Sequence, residues 1–182
     1  MLDLSIKNCH GKTVLHYLAE HKDEENFRCL LDREELTSHV ANIPDAEGKT
    51  AMIYCLSKGS PYMARDILLH PTARDKFRLD SCHSADGRSP LHFVAEQGLG
   101  SLWNLACQRP DCDLNARDAD GNTPLMRAVI CGRVKILEAW LRDKENVRGI
   151  YFVCLLSTEI KGEELPSYQN PKSPKTSNFL QK

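Results

Sequence analysis

The sequence predicts an all-α solenoid of stacked helix-turn-helix units joined by short β-hairpin tips. Three observations carry that reading. Four segments echo one another: Gly11-Lys12-Thr13-Val14-Leu15-His16, Gly48-Lys49-Thr50-Ala51-Met52-Ile53, Gly87-Arg88-Ser89-Pro90-Leu91-His92 and Gly121-Asn122-Thr123-Pro124-Leu125-Met126. Their glycines lie 37, 39 and 34 residues apart, and self-similarity at roughly 33 to 40 residues marks units that bury their apolar faces only by stacking. Between the echoes, apolar residues recur at helical spacing.

Each unit can be read outward from its glycine. In Arg117-Asp118-Ala119-Asp120-Gly121-Asn122 the Asp-Gly pair has hairpin-tip chemistry, because glycine reaches a positive φ at little steric cost. Thr123 then caps a helix and Pro124 suits its first position, where a missing N–H costs nothing. Gly132 ends that short helix, as Gly59 and Gly98 do in units two and three, while Lys22 holds the place in unit one. Second helices follow, with apolar faces at Phe27, Leu30 and Leu31; Met63, Ile67 and Leu68; Leu102, Leu105 and Ala106; and Val134, Leu137, Trp140 and Leu141. Leu91 and Leu125 hold the same place in their units and are expected to be equally buried.

On these residues the chain resembles the ankyrin-repeat proteins. The match is clearest in Ser89-Pro90-Leu91-His92-Phe93-Val94-Ala95 and Thr123-Pro124-Leu125-Met126-Arg127-Ala128, set against the T-P-L-H-x-A signature. Asp113-Leu114-Asn115-Ala116-Arg117-Asp118 is similar to the family's linking segment. Units one and two depart from the pattern, with Val14 and Ala51 in place of proline and Met52-Ile53 in place of Leu-His. Their longer spacing implies extra residues around 34–42 and 71–79. The array is expected over residues 2–146, in units of about 2–35, 36–75, 76–111 and 112–146, followed by a non-repeat tail at 147–182.

The two ends shape a further expectation. Residues 2–11 align with 112–121, so the chain opens on a linker that elsewhere follows another unit. After Arg142 comes the apolar run Ile150-Tyr151-Phe152-Val153-Cys154-Leu155-Leu156 in place of a fifth unit, then a stretch rich in Lys, Ser, Pro and Asn whose composition predicts disorder. A shortened product of a longer array, such as a splice form, is the reading that fits both ends.

Composition excludes several function classes. With 24 basic and 25 acidic side chains the formal net charge is −1, so no global field favours nucleic acid or an anionic membrane. Apolar runs are far shorter than the roughly 20 residues a membrane-spanning helix needs, and the N-terminus lacks the pattern of a signal peptide. The eight cysteines are scattered without paired spacing, which points to a reducing compartment, cytosol or nucleus. Cys107 and Cys112 have no second pair to complete a zinc site, and no cofactor is expected. Gly-Lys-Thr at 11–13 and 48–50 is not a phosphate loop, since Ile6 and Ile43 stand where the required earlier glycine would be. The resemblance assigns His16 and His92 a structural role. No catalytic constellation emerges, and the chain is not expected to be an enzyme.

What remains is surface. The resemblance implies a concave binding side made by the tips and the first helices, and the matching column is Tyr17, Tyr54, Phe93 and Arg127. Glu96 and Gln97 flank it, and Asp86, Arg88, Asp120 and Asn122 would add polar contacts from the tips. Tyrosine and arginine are common at binding hot spots; the competing reading is that these large side chains simply pack between neighbouring helices. A protein-binding adaptor or scaffold follows most directly, the chain being a monomer unless the ends of the array self-associate. Sequestration of a transcription factor in the manner of the NF-κB inhibitors, and a regulatory fragment of a larger enzyme, are the alternatives.

Overall fold

A computed structural model describes residues 3–58, 60–80 and 85–142; the apolar run at 150–156 and the rest of the tail lie outside the described residues. Along the described chain run α1 (Val14–His21), α2 (Glu24–Leu31), α3 (Ser38–Ala41), α4 (Ala51–Ser57), α5 (Pro61–Leu69), α6 (Pro90–Gln97), α7 (Gly100–Cys107), α8 (Pro124–Ile130) and α9 (Val134–Arg142). No residue among them is in a strand: the tips are closed turns, in which Asp45 N–H donates to the Lys49 carbonyl at 2.9 Å and Asp118 N–H to that of Asn122 at 3.0 Å.

The helices form two layers. In the first, α1 packs on α4, α4 on α6 and α6 on α8; in the second, α2 packs on α5, α5 on α7 and α7 on α9. Between them lies a continuous core that includes Leu15, Phe27, Met52, Ile67, Leu91 and Leu102. Helices of seven to nine residues are too short to persist alone in water, so stacking holds each one in place.

Local chemistry sets each helix start. Thr13 and Ser89 have extended backbones, and the next residue opens the helix. His16 Nδ1 sits 3.1 Å from the Thr13 N–H and 2.9 Å from its hydroxyl, and His92 repeats this geometry on Ser89 at 3.1 and 2.8 Å. Thr123 caps α8 through its hydroxyl, which accepts from the Met126 N–H at 3.3 Å. Lys22 ends α1 in the left-handed region at φ 58°, the place Gly98 fills at φ 74°.

The units are stapled tip to tip and helix to tip. Ala46 N–H donates to the His10 carbonyl at 3.0 Å and Ala119 N–H to that of Asp86 at 2.9 Å. A Cβ on Gly11 would stand 2.8 Å from the Ala46 nitrogen, so the tip needs glycine for close approach as well as for its φ of 72°. His16 Nε2 reaches the Lys49 carbonyl at 2.9 Å, and His92 Nε2 that of Asn122 at 3.0 Å. At the corresponding place in unit two stands Ile53, fully buried.

The extra residues of the longer units fold onto the second-helix layer. Residues 34–42 supply α3 and bury Leu36, Val40 and Ala41, while 71–79 bury Ala73, Phe77 and Leu79. Phe77 lies against Phe27 with ring centroids 6.5 Å apart. Asn42 joins the two segments: its amide donates to the Lys76 carbonyl at 2.7 Å, and its oxygen accepts from the Arg78 N–H at 2.9 Å.

Unit four differs from the sequence expectation. Val134 and Leu141 were expected on the buried face of α9, yet they are 61% and 44% exposed, and the fully buried residue is Ile136. Met63, Leu102 and Ile136 hold equivalent positions, buried toward the preceding unit, while Val134 and Leu141 lie on the side that a following unit would cover. Leu125 is likewise only half-buried, unlike Leu91.

Candidate protein-binding face

Each described tip is organised by an Asn or Asp three residues before its glycine. One side-chain oxygen of Asn8 accepts from the backbone N–H groups of His10 and Lys12, both at 2.9 Å. Asp45 does the same for Glu47 and Lys49 at 2.9 and 2.8 Å, and Asp118 for Asp120 and Asn122 at 3.0 and 2.9 Å. Such side-chain-to-backbone bonds fix the turn.

The remaining polar atom of that side chain reaches the first-helix column nine residues on. Asn8 donates to the Tyr17 hydroxyl at 2.6 Å, Tyr54 donates to Asp45 Oδ2 at 2.7 Å, and Arg127 Nε lies 2.5 Å from Asp118 Oδ2. Two tyrosines and an arginine thus brace their own tips. Burial alone would raise the Asp45 carboxyl, but the Tyr54 hydroxyl and the N–H groups of Lys49 and Glu47 more than offset it and hold it below the usual carboxylate range. Asp118 is held down in the same way by Arg127 and the Asn122 N–H. Burial and the facing Asp45 push the Tyr54 phenol up to about 12.

A second motif, an ion pair between residues eight positions apart, spans the face in units one and three. Lys12 Nζ pairs with Glu20 at 2.7 Å, and Arg88 pairs with Glu96 at 2.8 Å. Lys12 also stands over the Tyr54 ring at 5.1 Å, and the Arg88 guanidinium over Phe93 at 5.9 Å, both cation–π distances. Lys58 adds a looser contact to Glu20 at 3.9 Å.

The ten residues singled out from the sequence therefore divide. Tyr17 is exposed and Phe93 half-buried, but Tyr54 is only 4% exposed, because its ring fills the gap between α1 and its own tip, edge-on to His16 at 5.4 Å. Its placement on the open face is corrected accordingly. Arg127 is half-buried, held by Asp118 and by Asp120 at 2.6 Å. Arg88 also touches Asp86 at 2.9 Å. Asp86 and Asn122 act through their main chains as well, each carbonyl accepting a bond from the neighbouring unit. Gln97 is turned inward, its amide donating to the Leu56 carbonyl of unit two. The Asn/Asp positions 8, 45 and 118 went unremarked in the sequence, although their constant distance from the tip glycine marks them in three of the four units.

Among the described residues the thiols carry no comparable organisation. Cys55 is buried and its thiol pushed up by desolvation; Cys112 is raised by its bond to Cys107 and by burial; Cys9 and Cys29 are exposed. Among the described residues no cluster of three or more His, Cys, Asp or Glu could hold a metal ion, and no helix is long and apolar enough to cross a membrane.

Comparison with known proteins agrees with this architecture. Residues 65–148 match a family model described as ankyrin repeats in three copies. Over 134 residues, 74% of this chain, the sequence is 27% identical to alpha-latrotoxin-Lt1a of Latrodectus tredecimguttatus, of which that stretch is 9%. It is 25% identical to the ANK repeat-containing protein nipk-1 of Caenorhabditis elegans, covering 69% of this chain and 21% of the relative. The nuclear factor NF-kappa-B p105 subunit of Gallus gallus is 25% identical over 74% of this chain and 13% of its own length. The chain thus spans between 9% and 21% of the length of these relatives.

Proposed function

We propose that this ankyrin-repeat protein is a non-catalytic adaptor or scaffold that binds a protein partner across its tips and first helices, in the cytoplasm or nucleus. Ankyrin repeats are generally protein–protein interaction modules. The observation that carries the assignment is the bracing of the column by the tips: aromatic and guanidinium groups are fixed before a partner arrives, which lowers the ordering cost of association. Tyr17, Phe93, Arg88 and Arg127 would supply the apolar and cationic contacts, with Asp86, Glu96, Gln97, Asp120 and Asn122 around them. Tyr54 supports that surface from beneath.

The test is capture of partners by the full chain from lysate, repeated with Tyr17→Ala, Arg88→Ala and Asp120→Ala and with Tyr62→Ala as a control on the second-helix layer, where Tyr62 is 63% exposed. The reading expects binding to fall in the first three variants and to persist in the control, with unchanged thermal melts. Loss in the control alone would place the partner on the other layer. Similarity to the p105 subunit supports sequestration of a transcription factor as a second reading. Release of a Rel-type factor from DNA by the purified chain would select it.

A further inference from the structure

Cys107 and Cys112 stand apart from the other described thiols. Cys107 closes α7, and Cys112 opens the linker of unit four, five residues on. The chain reverses between them: Arg109 N–H donates to the Ala106 carbonyl at 3.0 Å and Cys112 N–H to the Arg109 carbonyl at 3.2 Å. That reversal brings the two side chains together, and the Cys112 thiol shares a hydrogen bond with that of Cys107. Cys9 and Cys29 are exposed and Cys55 is buried, whereas Cys107 and Cys112 are both half-buried, within reach of a small reagent.

The turn that carries the pair is clamped. Arg109 forms a two-point ion pair with Asp111, Nε to Oδ1 and Nη2 to Oδ2, both at 2.8 Å. Nη2 also donates to the Phe77 carbonyl at 2.8 Å and Nη1 to that of Arg74, while Asp111 Oδ2 accepts from the Leu79 N–H at 2.9 Å. The turn is thus tied to residues 74–79, and the thiols meet on a backbone that is set in advance. Such placement turns a reaction between two groups into an effectively unimolecular step.

Two thiols without further ligands suit redox chemistry better than a metal. Among the described residues no cluster of three or more His, Cys, Asp or Glu forms around them to hold an ion. Their roles differ. The bond to Cys107, burial and the carboxylates of Asp111 and Asp113 keep the proton on Cys112. A thiolate on Cys107 would accept that hydrogen bond and be stabilised by it, which makes Cys107 the attacking sulfur and Cys112 the resolving one.

We propose that Cys107 and Cys112 form a redox-active dithiol that exchanges with low-molecular-weight disulfides and closes to an intramolecular disulfide joining unit three to unit four. This site goes beyond the binding of a partner and does not depend on it. The Cys107 thiolate attacks one sulfur of the reagent and expels its first half as a thiolate. Cys112 then attacks the Cys107 sulfur and expels the second half. Two electrons and the two thiol protons pass from the protein to the reagent, which leaves as two thiols. In a reducing compartment such a bond is transient and acts as a sensor.

The test is to incubate the reduced full chain with oxidised glutathione, block free thiols with N-ethylmaleimide, and weigh tryptic peptides without reduction. Trypsin does not cut Arg109-Pro110, so residues 89–117 form one peptide whose cysteines are these two. It should appear unlabelled and lighter by two hydrogen atoms than the reduced peptide, in about tenfold or greater excess over its glutathione adduct, because ring closure is intramolecular. Cys112→Ser should instead accumulate the adduct on Cys107. A native peptide 89–117 that stays doubly labelled while Cys9 or Cys29 takes up glutathione overturns the proposal. So does an adduct that persists in the native chain at the level of the Cys112→Ser variant, since Cys112 then resolves nothing.

Discussion

The imidazole of His16 spans two units: its Nδ1 accepts from the Thr13 N–H at 3.1 Å and its Nε2 donates to the Lys49 carbonyl at 2.9 Å. An N–H pointing at Nδ1 leaves that nitrogen no proton of its own, so the ring is neutral with its hydrogen on Nε2. His92 repeats the arrangement between Ser89 and Asn122. One side chain thus starts a helix and ties it to the next tip.

Acid should loosen the array in two separate windows. Desolvation is the largest influence on His16 and His92 and lowers both below their ordinary value of 6.5. Their contribution is whole above pH 6.5 and is lost as pH falls from there toward the folded-state values, because the unfolded chain takes up protons first. Asp45 and Asp118, held below 3.8, contribute above that value and fail only under stronger acid. Urea midpoints between pH 7.5 and 5 should fall in the native chain. The fall should be shallower in a His16→Ala, His92→Ala double variant, whose starting stability is lower; an equal slope in both removes the histidines from the explanation.

Leu91→Ala should cost about 2 to 5 kcal/mol, as expected of a leucine 2% exposed. Leu125→Ala, at the same place in its unit, should cost roughly half as much, because its side chain is only half-buried and leaves less of a cavity. Denaturant titration of the two variants side by side gives the comparison. Equal losses would mean that Leu125 is covered in solution.

Tyr54→Phe should destabilise by about 1 to 3 kcal/mol, the cost of leaving a buried acceptor on Asp45 without its donor. Partner binding by whatever remains folded should be unchanged, since the hydroxyl faces the protein's own tip. Chemical denaturation together with a binding isotherm separates the two effects. Tyr54→Ala is consequently a poor probe of the binding face, as it removes part of the core.

Lys22→Gly should stabilise the chain by about 1 kcal/mol. Lys22 is the described non-glycine residue with a positive φ, 58°, and its left-handed conformation is one that glycine adopts without a Cβ penalty. A rise in melting temperature checks it, and a fall would show that the Lys22 side chain has a stabilising contact that outweighs the strain.

The helices were legible in the sequence because their starts and stops are written locally, in Thr13, Thr50, Ser89 and Thr123 and in the turns that follow. Registering the echoes gives a column at 17, 54, 93 and 127, and three of those residues, Tyr17, Tyr54 and Arg127, each bond the side chain nine positions before them. Exposure was not legible, for burial depends on which neighbour stands alongside: Tyr54 is covered by α1 and Asp45, while Val134 has no described unit beside it. Asn8, Asp45 and Asp118 escaped notice because a polar residue near a turn looks like solvated surface until its bonds to residues nine positions away are seen.

Ile53 gives the array an uneven response to temperature. Where His16 and His92 contribute a polar staple, this side chain contributes only apolar contact, and apolar association weakens as water cools. At that position the adhesion between units two and three is of the kind that fades toward freezing, and polar contact across this junction falls instead to Gln97, which donates to the Leu56 carbonyl. Cooling should therefore weigh on the Ile53 contact before it touches the imidazole staples on either side.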